Sequence, residues 1–177
     1  MARLILFNGA PGSGKSTLAS RWADARPMTL ALDVDVLKHM LGAWDADQQA
    51  SGLQARVLAL AVIRQHLEDG YDVIVAQYLA RHEFADSLLA AAAGVGATYT
   101  EVVLDVDTGT LATRLAGRAA EPGRPEHVVN SAFVSPGDSP ALVEAVATWA
   151  AARPGVVHVT ADGSLEDALA ALTSALP

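Results

Sequence analysis

No cysteine occurs anywhere in the 177 residues. That excludes disulfides, thiolate metal sites and a cysteine nucleophile. Basic residues are scarce, with Lys and Arg numbering 12 against 20 Asp and Glu, for a formal net charge of −8 and a pI near 4.9. A chain so charged has no global attraction to nucleic acid or to an anionic membrane. A polynucleotide partner is therefore disfavoured unless a local basic mouth supplies the pull. No run approaches 18 uninterrupted apolar residues, and no small-residue cleavage region follows Arg3. Neither a membrane span nor a secretory leader is expected, and the chain reads as cytoplasmic. Hydrophobic residues make up 51% and charged residues only 18%, which argues against extended disorder. The length suits one domain covering 1–177.

What is present is concentrated near the N-terminus. The apolar run Leu4 to Phe7 leads into Gly9-Ala10-Pro11-Gly12-Ser13-Gly14-Lys15-Ser16-Thr17, which fits G-x-x-x-x-G-K-[ST], the phosphate-binding P-loop. The strand–loop–helix context that such a loop requires surrounds it. Its glycines let backbone N–H groups curl around the β- and γ-phosphates of a nucleoside triphosphate, at the positive end of the following helix. Lys15 is expected to place its ammonium between those phosphates, and the Ser16 hydroxyl to ligate Mg²⁺. Residues 9–17 form the nucleotide-binding set. ATP and Mg²⁺ are the expected donor and metal.

Beyond the loop, apolar runs alternate with helical patterns. Strands are expected over 3–8, 28–33, 71–76, 98–104 and 156–160, and helices over 15–25, 35–42, 48–69, 81–93, 108–119, 126–134, 141–151 and 165–175. The longest helix carries Leu53, Val57, Leu60, Ala61, Ile63 and Leu67 at helical spacing, with Gly70 beyond its end. Asp107 or Thr108 suits the cap of the 108–119 helix. The alternation specifies an α/β sandwich with a mainly parallel sheet and helices on both faces. Ligands then gather at the C-terminal strand ends. No apolar stripe is clearly left over once helices cover the sheet, so monomer and homodimer both stay open.

The polar residues at those ends are the candidate site. Asp33 and Asp35 follow strand 2 beside the P-loop. One carboxylate there accepts a proton from an attacking hydroxyl, while the other supports metal-bound water or fixes the substrate. The base role is assigned to Asp35, which opens the next helix toward the cleft; the metal role, through water, goes to Asp33. A purely structural alternative makes Asp35 a helix N-cap and Asp33 a turn residue. His39, one turn on, lines the same pocket or is an ordinary exposed histidine. Strand 3 ends in Ala76-Gln77-Tyr78 where a Walker B strand ends in aspartate, so Gln77 and Tyr78 are expected to read the acceptor. Arg81 opens a helix, where the dipole favours an acid, and is therefore a candidate ligand contact.

Arg114 and Arg118 stand i,i+4 on one helix and share a face. Arg124 and His127 lie beyond the break Glu121 to Pro125. Arginines that close over a transferring phosphoryl group neutralise its developing charge and exclude water, so 114–135 is expected to act as a lid. After strand 5, Asp162 and Gly163 are placed to contact the adenine edge, and a simple helix cap suits the same stretch.

Taken together, GAPGSGKST, the Asp33-Val34-Asp35 pair in LALDVDVLKHMLG and the R-x-x-x-R helix of TLATRLAGR resemble the small P-loop kinases. That group includes shikimate, gluconate, adenylylsulfate, chloramphenicol and 5′-polynucleotide hydroxyl kinases. The resemblance runs over essentially the whole chain in element order. It implies a P-loop NTPase three-layer sandwich with strand order 2-3-1-4-5. It also places Asp35 at the base or substrate-binding aspartate, Arg114 beside the adenine or phosphates, and Arg118 in the lid. Three departures stand out: Lys38 where relatives carry Arg or His, Ala-Gln rather than Asp-Gly after strand 3, and a short lid without a cysteine knot. They set the chain apart from adenylate kinase proper.

The expected activity is transfer of the γ-phosphoryl group of ATP to a hydroxyl of a small organic molecule. An antibiotic or related metabolite is attractive because the long 48–69 helix and Gln77–Tyr78 are placed to wall a fairly apolar pocket. A nucleoside, nucleotide or polynucleotide 5′-kinase is the runner-up. A nucleotide-dependent switch is the alternative of another class, and it lacks an acidic Walker B or a water-positioning residue.

Overall fold

The computed structural model describes residues 1–120 and 134–176. The expected 126–134 helix, Arg124 and His127 fall almost wholly outside these residues, as does most of the expected lid. Element order is β1 (Arg3–Asn8), α1 (Lys15–Asp24), β2 (Leu30–Leu32), α2 (Val34–His39), α3 (Gln48–Glu68), β3 (Val73–Ala76), α4 (Glu83–Gly94), β4 (Thr98–Asp105) and α5 (Thr108–Ala120). A 3₁₀ turn at Pro136–Asp138 then leads into α6 (Ser139–Ala151), β5 (Val157–Thr160) and α7 (Leu165–Ala175). The five strands form one parallel sheet in the order β2-β3-β1-β4-β5. It has the expected P-loop NTPase topology.

Strand β1 lies in the middle, and its alternation divides the core. Leu4 and Leu6 pack with Val73, Val75 and Val103 against α3, α4, α5 and α6. Ile5 and Phe7 point the other way, with Ile74, Val102 and Leu104, toward α1 and α7. Successive strand side chains face opposite sides, so a strand buried on both faces must be apolar at every position. Leu4, Ile5, Leu6 and Phe7 are all at most 2% exposed. On α1 the expected inner residues Leu18, Ala19 and Trp22 are buried.

Helix α3 departs from its expected phase. Its buried stripe is Ser51, Ala55, Ala59, Ile63 and Leu67, each four residues after the last. Leu53 and Val57 instead stand 56% and 59% exposed. Small side chains at three of five contact positions let the helix lie close to its neighbours, and that packing outweighs the burial of two larger residues. Strand β2 and helix α2 are also shorter than expected. Helix α2 ends at His39, before Gly42 is reached. Asp107 caps α5, its Oδ1 accepting from the backbone N–H groups of Gly109 and Thr110.

An ion network fastens the lower half of the sheet to its helices. Arg153, after α6, donates to both oxygens of Glu101 on β4 and to Asp86 on α4. Its guanidinium also lies 5.2 Å from the Trp149 ring centroid. Among the described residues, no helix is long and apolar enough to cross a membrane.

Ile63 is fully buried where α3 meets the sheet. Ile63→Ala is expected to lower unfolding free energy by about 2–5 kcal/mol. Leu53→Ala, on the exposed side, should change it by no more than about 0.5 kcal/mol. Urea denaturation of the two variants checks the phase of the helix.

Candidate active site

The loop after β1 is built around backbone that only glycine adopts without strain. Gly12 and Gly14 both have φ of +95°, and a Cβ on Gly12 would come within 3.1 Å of Leu111 and 3.2 Å of Leu115. The amide of Ser13 closes the loop on the Ala10 carbonyl at 3.0 Å. Helix α1 begins at Lys15 with Gly14 as its cap and no side-chain cap. Its first N–H groups are left for a ligand. The Ser13 hydroxyl is buried at the same turn without a hydrogen-bond partner. A cradle of glycine, free amides and an orphan hydroxyl is what polyphosphate oxygens satisfy. The residues present fit a bound triphosphate.

A cleft of about 330 Å³ opens beside this loop. Its walls bring together Pro11, Gly12, Gly14, Lys15, Ser16, Thr17, Asp33, Asp35, Gln77, Tyr78 and Arg118. The Ser16 hydroxyl donates to Asp33 Oδ2 at 3.0 Å. The other Asp33 oxygen accepts from the Asp35 amide, so Asp33, not Asp35, is the N-cap of α2. This reverses the structural alternative for the pair. With Asp33 occupied by the cap and by Ser16, Asp35 is the carboxylate left facing the cleft. A hydroxyl and a carboxylate in contact suit a hard cation such as Mg²⁺, with water and phosphate oxygens completing its shell. Among the described residues there is no cluster of three or more His, Cys, Asp or Glu side chains that would hold a metal unaided.

Charge in this cleft is strained. Burial lowers Lys15 to about 8, against the pull of Asp33 and Asp35, and nearby Arg118 lowers it further. Burial also raises Asp35, and the neighbouring Asp33 raises it more. Both shifts arise in the free protein. Incoming phosphates are expected to restore the lysine's charge.

Gln77 carries a buried side-chain oxygen with no partner, and its backbone N–H donates to the Phe7 carbonyl at 3.0 Å. Tyr78 stands beside it on the cleft wall. His39 and Arg81 lie off this cleft. The His39 ring sits 4.2 Å from that of Trp44, outside the lining. Arg81 is one loop further out and lines an adjoining cavity with Tyr78. The apolar pocket expected from the 48–69 helix is not built at the cleft, to which α3 contributes no lining residue.

Arg114 and Arg118 share a helix yet serve different cavities. Arg118 lines the cleft. Arg114 lines a second cavity of about 170 Å³ with Gly12, Ser13, Thr17, Leu104, Gly163 and Leu165. Its guanidinium makes long contacts of 3.4–3.5 Å to the carbonyls of Ser13, Asp162 and Gly163. The Asp162 carboxylate is turned away and accepts from the Asp107 amide at 2.7 Å, so only the backbone of that residue faces Arg114.

Two positioning residues escape a reading of motifs. Asn8 is fully buried; its Oδ1 accepts from Gly9 N–H at 2.8 Å and Leu79 N–H at 2.9 Å, while its Nδ2 donates to the Leu79 carbonyl. Trp149 Nε1 donates to the Arg81 carbonyl at 3.2 Å. Together they fasten the loop after β3 at Leu79 and at Arg81. A polar residue ending a fully apolar strand was the signal available for Asn8; Trp149, about 70 residues further along, offered none.

Residues 4–135 match the AAA domain family, and the chain belongs to it. It is 29% identical over 191 residues to an adenylate kinase from Phenylobacterium zucineum (strain HLK1), covering 98% of this chain and 96% of that protein. A gluconokinase from Sinorhizobium meliloti 1021 superposes with a TM-score of 0.61 at 21% identity, over 96% of this chain and 91% of that one. A chain of the Pnkp1/Rnl/Hen1 RNA repair complex does so with a TM-score of 0.68 at 16% identity, over 87% of this chain and 47% of that one. In fold the chain is a member of the small P-loop kinase-like superfamily.

Asn8→Ala strands three buried backbone groups. It is expected to destabilise the protein by about 2–4 kcal/mol, read by thermal or urea denaturation. Asp35→Asn should act in the opposite direction. A carboxyl raised above its unfolded value costs stability where it is ionised, so at neutral pH the Asn variant should melt higher. The difference should shrink as pH falls through the folded and then the unfolded pKa.

Proposed function

We propose that this AAA-domain protein transfers the γ-phosphoryl group of ATP to a hydroxyl of a small organic molecule, an antibiotic or related metabolite being one such acceptor. The observation that carries the reading is the shared cleft: P-loop, Asp35 and Gln77 line one cavity. Among the described residues the Asp35 carboxylate has no other hydrogen-bond task, so a donor site and a candidate base face each other.

In this reading the P-loop amides and Lys15 hold the triphosphate, and Arg114 flanks the nucleoside beside Gly163. Asp35 orients the acceptor hydroxyl and takes its proton as the oxygen–phosphorus bond forms. The bond from the γ-phosphorus to the bridging oxygen breaks, and ADP leaves. Lys15 and Arg118 meet the charge that spreads over the phosphoryl oxygens. Ser16, and Asp33 through water, would hold Mg²⁺, which would supply further charge neutralisation. Gln77 and Tyr78 orient the acceptor. His39, Arg124 and His127 are the outlying candidates for contact with it.

A nucleotide acceptor is the second reading, favoured by the likeness to a protein named adenylate kinase. Labelled ATP with pooled hydroxyl compounds, nucleosides, nucleotides and 5′-hydroxyl oligonucleotides separates the two by which acceptor takes the label. Asp35→Ala is expected to lower kcat by about 10²–10⁴-fold while ATP binding stays within several-fold. Lost ATP affinity with transfer retained would overturn the base assignment. Lys15→Ala should cripple both.

The pH profile adds a check. Asp35 must be ionised to act as base, so kcat/KM for the acceptor should fall on the acid side, with a midpoint above the ordinary carboxylate range. On the alkaline side, kcat/KM for ATP should fall as Lys15 loses its proton near pH 8. At saturating ATP that limb should vanish from kcat, because bound phosphates hold the proton on Lys15.

A further inference from the structure

Helix α3 is apolar on both of its sides. The inner stripe of Ala55, Ala59, Ile63 and Leu67 belongs to the core. The outer side carries Leu53, Gln54, Val57, Leu58, Ala61 and Val62, all exposed. Among the described residues ten large hydrophobics are exposed, and Leu53, Val57, Leu58 and Val62 supply four of them, at 37–59% exposure. Val36 in α2 and Met40 just after it add two more, on the helix packed beside α3. A surface helix ordinarily turns charge to water, and one that is apolar all round is covered on all sides. The sequence pattern left no apolar stripe over; the structure leaves this one.

Charge is kept off the face. From Gln48 to Ile63 the helix holds a single charged residue, Arg56, and its guanidinium lies against α4, 5.3 Å from the centroid of the Phe84 ring. Arg64 and Glu68 come only at the C-terminal end, and Asp47 caps the N-terminal end. An uncharged centre between charged ends has the composition of an interface core and its rim. Two copies of a chain with net charge −8 repel each other at a distance, so a face free of acids is where they can meet.

The exposed residues form two i,i+4 rows, 53-57-61 and 54-58-62, and together the rows are self-complementary. We infer that this face pairs with the same face of a second copy, the two α3 helices antiparallel about a two-fold axis between Val57 and Leu58. Leu53 then meets the partner's Val62, Gln54 meets the partner's Ala61, and Val57 meets the partner's Leu58. Apolar side chains cover apolar ones, and no like charges come together at the centre. With Val36 and Met40 the face offers on the order of 500–600 Å² per copy, against about 800 Å² per partner in a standard interface and about 600 Å² in the smallest stable ones. That area suits a micromolar dimer rather than an obligate one. An isologous contact uses the face up, so assembly stops at two copies. The pairing does not depend on the kinase reading. In dilute protein the copies are apart, and denaturation there still reads each helix by itself.

Sedimentation velocity on the full chain, from about 1 to 300 µM, tests this because association follows concentration. The mass is expected to rise with concentration from 18.3 kDa toward twice that value. Val57→Glu and Leu58→Lys should each weaken association about ten-fold or more, by burying an unpaired charge. Their thermal melts in dilute protein should stay close to the parent's, because both positions are exposed. An equimolar mixture of the two variants should dimerise again, since the carboxylate introduced in one copy meets the ammonium introduced in the other. Leu89→Glu, exposed on α4, should leave association unchanged. A monomer at every concentration would overturn the inference. So would a dimer that Val57→Glu does not weaken, equal loss from Leu89→Glu, or a mixture no more associated than its separate components.

Discussion

The site depends on one buried amide. Asn8 ends β1, the middle strand, with no exposure to water, and its side chain satisfies backbone groups on both sides of the cleft. One contact starts the P-loop at Gly9; two others hold Leu79 in the loop after β3. Buried backbone groups must be paired, and a single residue here pairs those of two segments about 70 positions apart. The loop after β1 and the loop after β3 are thereby held in fixed relation. The Gln77 amide adds a third tie to β1 through the Phe7 carbonyl.

On that frame the charges are arranged at a cost. Lys15 is lowered and Asp35 raised, both by burial, so each is held away from its most comfortable ionisation state. Asp33 accepts hydrogen bonds from the Ser16 hydroxyl and the Asp35 amide. The three side chains thus divide their work by environment rather than by type. Two aspartates two residues apart differ in their contacts because Asp33 is taken up by the helix cap and Asp35 is not. Groups whose environments push their ionisation apart mark acid–base chemistry more often than bulk stability.

The lining residues also separate what shares an element. Arg114 and Arg118 lie on the same helix but serve adjoining cavities, and Tyr78 stands between two more. The result is a row of cavities along the C-terminal edge of the sheet. Parallel strands place their loops on one edge, which is why segments so distant in the chain can meet there.

Local chemistry was legible from residues alone. The glycines, lysine and serine of 9–17 act through backbone conformation and neighbours in sequence, and alternating periods carried the strand and helix order. Asp33 and Asp35 were legible as a pair, since a strand end beside a P-loop faces ligand. The phase of α3 was not. Its exposed Leu53 and Val57 outrank Ala55 and Ala59 on any hydrophobic scale, and only close approach to the sheet selects the small residues. Nor did spacing show that Asp33 takes the cap or that the His39 ring lies against Trp44. Those outcomes depend on which side chains long-range packing brings within a few ångströms, and sequence separation holds no record of that. The sequence by itself determined the triphosphate cradle and the parallel α/β order, through short-range backbone and burial rules. Tertiary structure decided which of the two aspartates takes the helix cap and the Ser16 hydroxyl, because that depends on which groups packing brings within reach.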